Sequence, residues 1–174
     1  MAVTINRRGL KITIDLPTLE RLNPDNVMNN ETKDRLGNTA LTAIKSRVTN
    51  GLSPVEGVPR FPGYKSTRDG SGYPRTAAIR EKFPAKKTRP VNLTLSGEFL
   101  SLLTYRVDQL GITIGWFDRR QRTRDLIATH QEGRHPHVPR RQILPLDEGN
   151  RFVASIRRSI KNVVLERITR IINS

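Results

Sequence analysis

The chain has 174 residues, carries 31 Lys and Arg against 16 Asp and Glu for a net charge of +15, and contains no cysteine. That length supports one domain, 1–174, with a real core, and the 35% apolar content with one Trp and three Tyr leaves Leu, Ile and Val to build it. The lack of cysteine excludes a disulfide scaffold and thiolate chemistry; with no apolar run near the roughly 20 residues that span a bilayer and no signal-peptide core, a soluble protein with no membrane role is expected.

In chain order, Leu10, Ile12, Ile14 and Leu16 alternate with polar residues, which predicts a half-buried strand ended by Pro17. Asn23-Pro24 then offers an N-cap with proline in the first turn, Asp25 suits the positive end of the helix dipole, and Asn50-Gly51 supplies a stop. Between them Val27, Leu36, Ala40, Leu41, Ile44 and Val48 recur at helical spacing, so one long amphipathic helix is expected, weakened locally at Gly37 by about 1 kcal/mol relative to alanine.

Residues 51–92 differ in kind, with five Gly, six Pro and nine Lys or Arg against Glu56, Asp69 and Glu81. Such a stretch reads as a long basic loop or arm, since structureless loops beyond roughly 15 residues are rare in compact domains unless functional or disordered. Phe61, Tyr64 and Tyr73 sit in it beside Arg60, Lys65, Arg68 and Arg75, with Lys86 and Lys87 further on. A solvated loop accounts for this composition. So does an arm that orders on a neighbouring subunit or on DNA, where Tyr and Arg supply interface energy.

Ser96 can cap a short helix from Gly97 to Leu103 that buries Phe99, Leu100 and Leu103. Thr104 to Val107 and Gly111 to Phe117 flank an Asp108-to-Gly111 turn signal and predict a hairpin; Trp116 and Phe117 at its end would serve the core or a contact. A helical pattern through Leu126, Ile127 and His130 stops at Gly133, a loop carries His135-Pro136-His137, and Pro139-Arg140-Arg141 leads into an apolar returning strand, Ile143 to Leu146. From Asp147 to Ile172 a second amphipathic helix is expected, its stripe of Val153, Ile156, Ile160, Val163, Val164, Ile168 and Ile171 covering the sheet beside the first helix.

The +15 charge attracts nucleic acid, anionic lipid or acidic protein without choosing among them, and no aromatic stacking series supports base reading. His130, His135 and His137 are the one histidine cluster, with Asp125 and Glu132 as nearest carboxylates; a metal wants three or four converging ligands, so neither metal nor cofactor is assigned. His130 reads instead as a hydrogen-bonded residue tying the helix end to the loop. The chain lacks a G-x-S-x-G elbow, a phosphate cradle and a placed carboxylate pair, so no catalytic residue is assigned; a nuclease using His130 with Arg140 or Lys87 is the enzymatic alternative. Arg140 and Arg141 follow a proline that stiffens the backbone and could grip carboxylates bidentately, or could be solvated.

Leu93, Ser96-Gly97, Phe99 and Leu100, two short strands, then Ile127-Ala128, His130-Gln131 and Gly133, then Val138-Pro139-Arg140, then an apolar run ending at Asp147-Glu148 form an ordered series. In that order and spacing the chain resembles the phage virion-morphogenesis or tail-completion proteins over roughly 93–150. Ile127 stands where tyrosine is often seen, and Arg141 adds a second arginine. The resemblance implies a non-enzymatic virion protein, made in the host cytoplasm and built into the neck or tail. It implies a closed homo-oligomeric ring, expected to be a hexamer, at the head–tail junction, touching neck, connector or tail proteins and making non-specific contact with channel DNA. A basic nucleic-acid-binding accessory protein is the alternative.

The expected fold is α+β: a small, mostly antiparallel sheet packed by two long amphipathic helices, with the basic Gly/Pro-rich loop between. A ring needs one patch to meet a different patch on the next copy. The expected patches are the arm (Arg60, Phe61, Tyr64, Lys65, Arg68, Tyr73, Arg75, Lys86, Lys87) and the corner (His130, Gln131, Gly133, Arg140, Arg141), with Trp116 as a further contact.

Overall fold

The computed structural model describes residues 2–7, 10–15, 22–58, 60–61, 98–109, 111–135, 138–146 and 150–174. Within them the chain is α+β. Strands β1 (Ala2–Arg7) and β2 (Leu10–Asp15) form one antiparallel pair, running from Ala2 opposite Asp15 to Arg7 opposite Leu10. Strands β3 (Leu103–Val107) and β4 (Ile112–Trp116) form another, from Leu103 opposite Trp116 to Val107 opposite Ile112. Instead of one sheet, the described residues hold two separate two-stranded ones.

The first long helix is broken. α1 (Pro24–Val27) takes Asn23 as its cap, whose side chain accepts from the Asn26 N–H at 2.8 Å. Asn29 then caps a second helix, α2 (Asn30–Thr49), by accepting from the Thr32 N–H at 2.9 Å. The continuous helix expected from 24 to 50 is interrupted because a second asparagine satisfies the free N–H groups of a new helix start, and Met28 leaves helical geometry (φ −102°, ψ 37°). At the other end Gly51 adopts φ +71°, and the Leu52 N–H returns to the Arg47 carbonyl at 3.0 Å, which closes the helix as its Asn-Gly stop implies.

Between the hairpin and the end of the chain lie α3 (Glu98–Ser101), α4 (Gln121–Ile127), which runs on as a π-helical turn over Ala128–Glu132, and α5 (Ala154–Ile172). α3 stops at Ser101, short of the expected Leu103, because Leu103 pairs opposite Trp116. α5 likewise begins at Ala154, well after the Asp147 expected to start it. The backbone before it is held by the loop after α2: Glu56 N–H to Arg151 O at 2.7 Å, Val153 N–H to Pro54 O at 2.8 Å, and an antiparallel bridge of Val55 with Phe152.

Among the described residues α5 packs mainly on α2, and α2 in turn packs on the β3–β4 hairpin. An Arg35–Glu166 ion pair at 2.7 Å and Arg167 donating to the Asn26 carbonyl at 3.1 and 3.2 Å join the start of α2, and α1 before it, to the end of α5, so α2 and α5 run antiparallel. Ile44, Val48, Phe61, Phe99, Leu100, Leu103, Ile143 and Ile156 form the core. Phe61 belongs to it, and Ser53, Pro54 and Val55 are buried as well. The first part of the expected arm, 51–58 with 60–61, is therefore packed chain; residues 62–92 lie outside the described residues.

Gly37 has a packing role that its position in a helix hides. A Cβ there would fall 2.6 Å from Tyr105 Cε2 and 2.7 Å from Cγ, so the missing side chain is the seat of the β3 tyrosine ring. Alanine would gain about 1 kcal/mol of helix propensity but has to displace that ring, at about 1–3 kcal/mol. Gly37→Ala is expected to lower stability in urea denaturation, and Gly37→Ala/Tyr105→Ala to recover part of the loss; a more stable single variant would refute this packing.

Candidate interaction site

The corner begins at Asp118. Its carboxylate accepts from the Arg120 N–H at 3.0 Å, the Arg120 Nε at 2.6 Å and the Thr123 hydroxyl at 2.9 Å, so it fixes the first turn of α4 from outside the helix. The Arg120 backbone bond, then its guanidinium, hold the Asp118 carboxyl below its usual range against a smaller opposing effect of desolvation. The same contact raises Arg120 above the usual arginine range. Arg122 pairs with Glu98 at 2.7 Å, so much of the positive charge at the start of α4 is answered locally.

The π-helical turn carries one extra residue, and Gly133 ends it at φ +74°, with the Arg134 N–H returning to the Ala128 carbonyl at 2.9 Å. A Cβ on Gly133 would lie 2.7 Å from Arg140 Cβ, so glycine serves both the left-handed turn and the close approach of the returning chain. That chain then runs beside the turn without becoming a strand.

Gln131 supplies the missing partner. Its side chain is buried (2% exposed); its Oε1 accepts from the N–H groups of Ile143 at 2.7 Å and Leu144 at 3.1 Å, and its Nε2 donates to the Leu144 carbonyl at 2.6 Å. One side-chain amide thus imitates the donor and acceptor of a neighbouring strand. Around it the Arg141 N–H donates to the His130 carbonyl at 2.7 Å, and Arg140 Nε donates to the Gln131 carbonyl at 3.2 Å. Gln142 and Ser53 join the corner to the loop after α2, the Ser53 hydroxyl donating to the Gln142 carbonyl at 2.7 Å.

The expected residues are thereby sorted. Gln131 and Arg141 are interior, the latter 0% exposed with its Nη1 3.4 Å from His130 Nδ1. His130 is half-buried and lies against Phe99, with ring centroids 5.3 Å apart. Trp116 stacks on the same Phe99 at 4.8 Å and donates its indole N–H to the Phe99 carbonyl at 2.8 Å. Arg140 and Arg60 are exposed, and Phe61 is in the core. Tyr64, Lys65, Arg68, Tyr73, Arg75, Lys86 and Lys87 lie outside the described residues. Arg140 Nη2 donates to Gln142 Oε1 at 3.1 Å, which lays its guanidinium along the returning chain.

Among the described residues no group of three or more His, Cys, Asp or Glu is placed to hold a metal, and no helix is long and apolar enough to cross a membrane. Sequence reasoning missed Gln142 and Ser53, two buried polar residues whose roles depend on a contact between distant segments. Compared with known proteins, the chain matches no protein family, no curated protein and no solved structure.

Two predictions follow from this geometry. Gln131→Leu strips one hydrogen bond from the buried Ile143 N–H and two from half-buried Leu144 backbone groups and should cost about 1–3 kcal/mol; hydrogen exchange should show the largest loss of protection at Ile143 and Leu144, and unchanged protection there would refute the clamp. Because the Asp118 pKa is lowered in the fold, its contribution is present above roughly pH 4 and is lost as pH falls through the folded value. Thermal melts of wild type and Asp118→Asn should therefore differ at neutral pH and converge in acid.

Proposed function

We propose that this chain is a structural subunit of a tailed-phage virion, a tail-completion or neck protein that forms a homo-oligomeric ring at the head–tail junction and turns over no substrate. The observation that carries the reading is the ordered series from Leu93 to Glu148, with its centre built as a braced corner: Gln131 and Arg141 inside, Arg134, His135 and Arg140 outside. A corner whose buried glutamine is occupied with holding backbone, and whose outer side is cationic, suits a fixed contact surface. Diffuse positive charge suits a channel that passes DNA, because phosphate contacts carry no sequence information and do not arrest the duplex at particular bases.

The second reading, a basic nucleic-acid-binding accessory protein, is favoured by the +15 charge alone. Light scattering and electron microscopy of the purified chain, alone and with head and tail particles, separate the two. A discrete ring, or ring formation on those particles, is expected. A persistent monomer whose duplex-DNA affinity falls steeply with salt would replace the neck reading with the second. Nuclease activity lost in His130→Ala and kept in other surface variants would replace both.

A further inference from the structure

α5 carries two longitudinal seams. The inward one, through Ile156, Val163 and Ile171, is buried against the rest of the molecule. The outward one runs Ala154, Arg158, Lys161, Leu165, Ile168, Ile172, at alternating intervals of four and three residues, the spacing that keeps one line of a helix facing a partner helix. Leu165 is 46% exposed and Ile172 41%, two of the three large hydrophobics most open to solvent among the described residues, and half-buried Ile168 lies between them on the same line. Scattered exposed leucines need no explanation; three apolar residues continuous over two helical turns at partner spacing do.

The N-terminal half of the seam is charged. Arg158 and Lys161 occupy its first half, and among the described residues neither meets a carboxylate; the neighbouring carboxylates are engaged elsewhere, Glu56 by Arg157 at 3.1 Å and Glu166 by Arg35 at 2.7 Å. The complement is a helix with acidic residues opposite Arg158 and Lys161 and apolar ones opposite Leu165, Ile168 and Ile172. A second copy brings a net charge of +15, and residues 62–97 of this chain hold eight Lys or Arg against Asp69 and Glu81, so neither supplies it. Nucleic acid would answer the cations but leave the apolar half in water.

We infer that the outward face of α5 docks an amphipathic helix of a different protein, one that presents acidic and apolar side chains along a single stripe. The inference goes beyond the neck reading and is separable from it, since a ring can form with this face bare.

The test uses the full chain and a fluorescein-labelled, about 20-residue peptide, long enough to hold a helix, with leucine on one stripe and glutamate beside it. Its partner probe is a permuted peptide of the same composition whose leucines share no face. In anisotropy titrations at about 0.15 M salt, where surface charge alone is largely screened, the striped peptide is expected to bind at least about tenfold tighter than the permuted one. Leu165→Glu and Arg158→Glu, both at exposed positions and checked for unchanged melting, should each weaken it by about tenfold. Equal binding of the two peptides, no saturable binding, or full binding by both variants overturns the inference. So does a loss of duplex-DNA binding in Arg158→Glu that is matched by no change in peptide binding, which would assign the face to nucleic acid. Ring formation by the Leu165→Glu chain is read in parallel by light scattering, so failure of the docking site and failure of the neck reading give different results.

Discussion

The Gln131 amide is the constraint on which the rest of the corner depends. Residues 138–146 return across the molecule with buried N–H and C=O groups but without a strand beside them, and such groups must be paired if the segment is to be interior. One glutamine does this for Ile143 and Leu144 together. Its own position is set in turn by the π-helical turn, whose extra residue rotates Gln131 inward, and by Gly133, which reverses the chain closely enough for Arg140 to pass over it. Ile143 then reaches the same core as Ile44 and Ile156.

The loop after α2 extends that constraint to the helices. Arg47 donates to the Ser53 carbonyl at 3.1 Å, Ser53 to Gln142, and Pro54 and Glu56 take up the backbone before α5. A run that reads as irregular chain is thus the strap joining the end of α2, the corner and the beginning of α5. Its Gly and Pro content reflects the turns that such a strap requires: Gly51 and Gly57 both have positive φ. The cost is that few of its residues can change independently, because each bond serves two segments.

Local patterns were legible in the sequence and long-range ones were not. Apolar spacing found the buried residues of α2 and the inward seam of α5, though it put Ile168, which lies on the outward line, with that seam; Asp108 with Gly111 marked the hairpin turn, where the Gly111 N–H meets Asp108 Oδ1 at 2.8 Å. Caps misled where two competed: Asn23 and Asn29 are both good helix starts, and the structure uses both. Asp147 and Glu148 likewise suggested an early start for α5, but pairing of Phe152 with Val55 decided it. At the corner the two adjacent arginines looked equivalent, yet the returning chain leaves Arg140 outside and takes Arg141 inward together with Gln142 and Ile143. Phe61 reads as an arm residue until the core that receives it is known.

Charge and assembly are coupled in a way that connects the two functional readings. Copies of a +15 chain set side by side in a ring repel one another, and at physiological ionic strength that repulsion is cut off only beyond a screening length of about 8 Å. Much of the charge at the start of α4 is answered within the molecule, through Glu98 and Asp118, whereas among the described residues Arg158 and Lys161 on α5 meet no carboxylate. A polyanion along the ring's axis or an acidic helix on its rim would each relieve the repulsion, so affinity for an anionic partner is not an alternative to ring formation. In the proposed ring such a partner would lower the repulsion between copies and so favour assembly rather than compete with it.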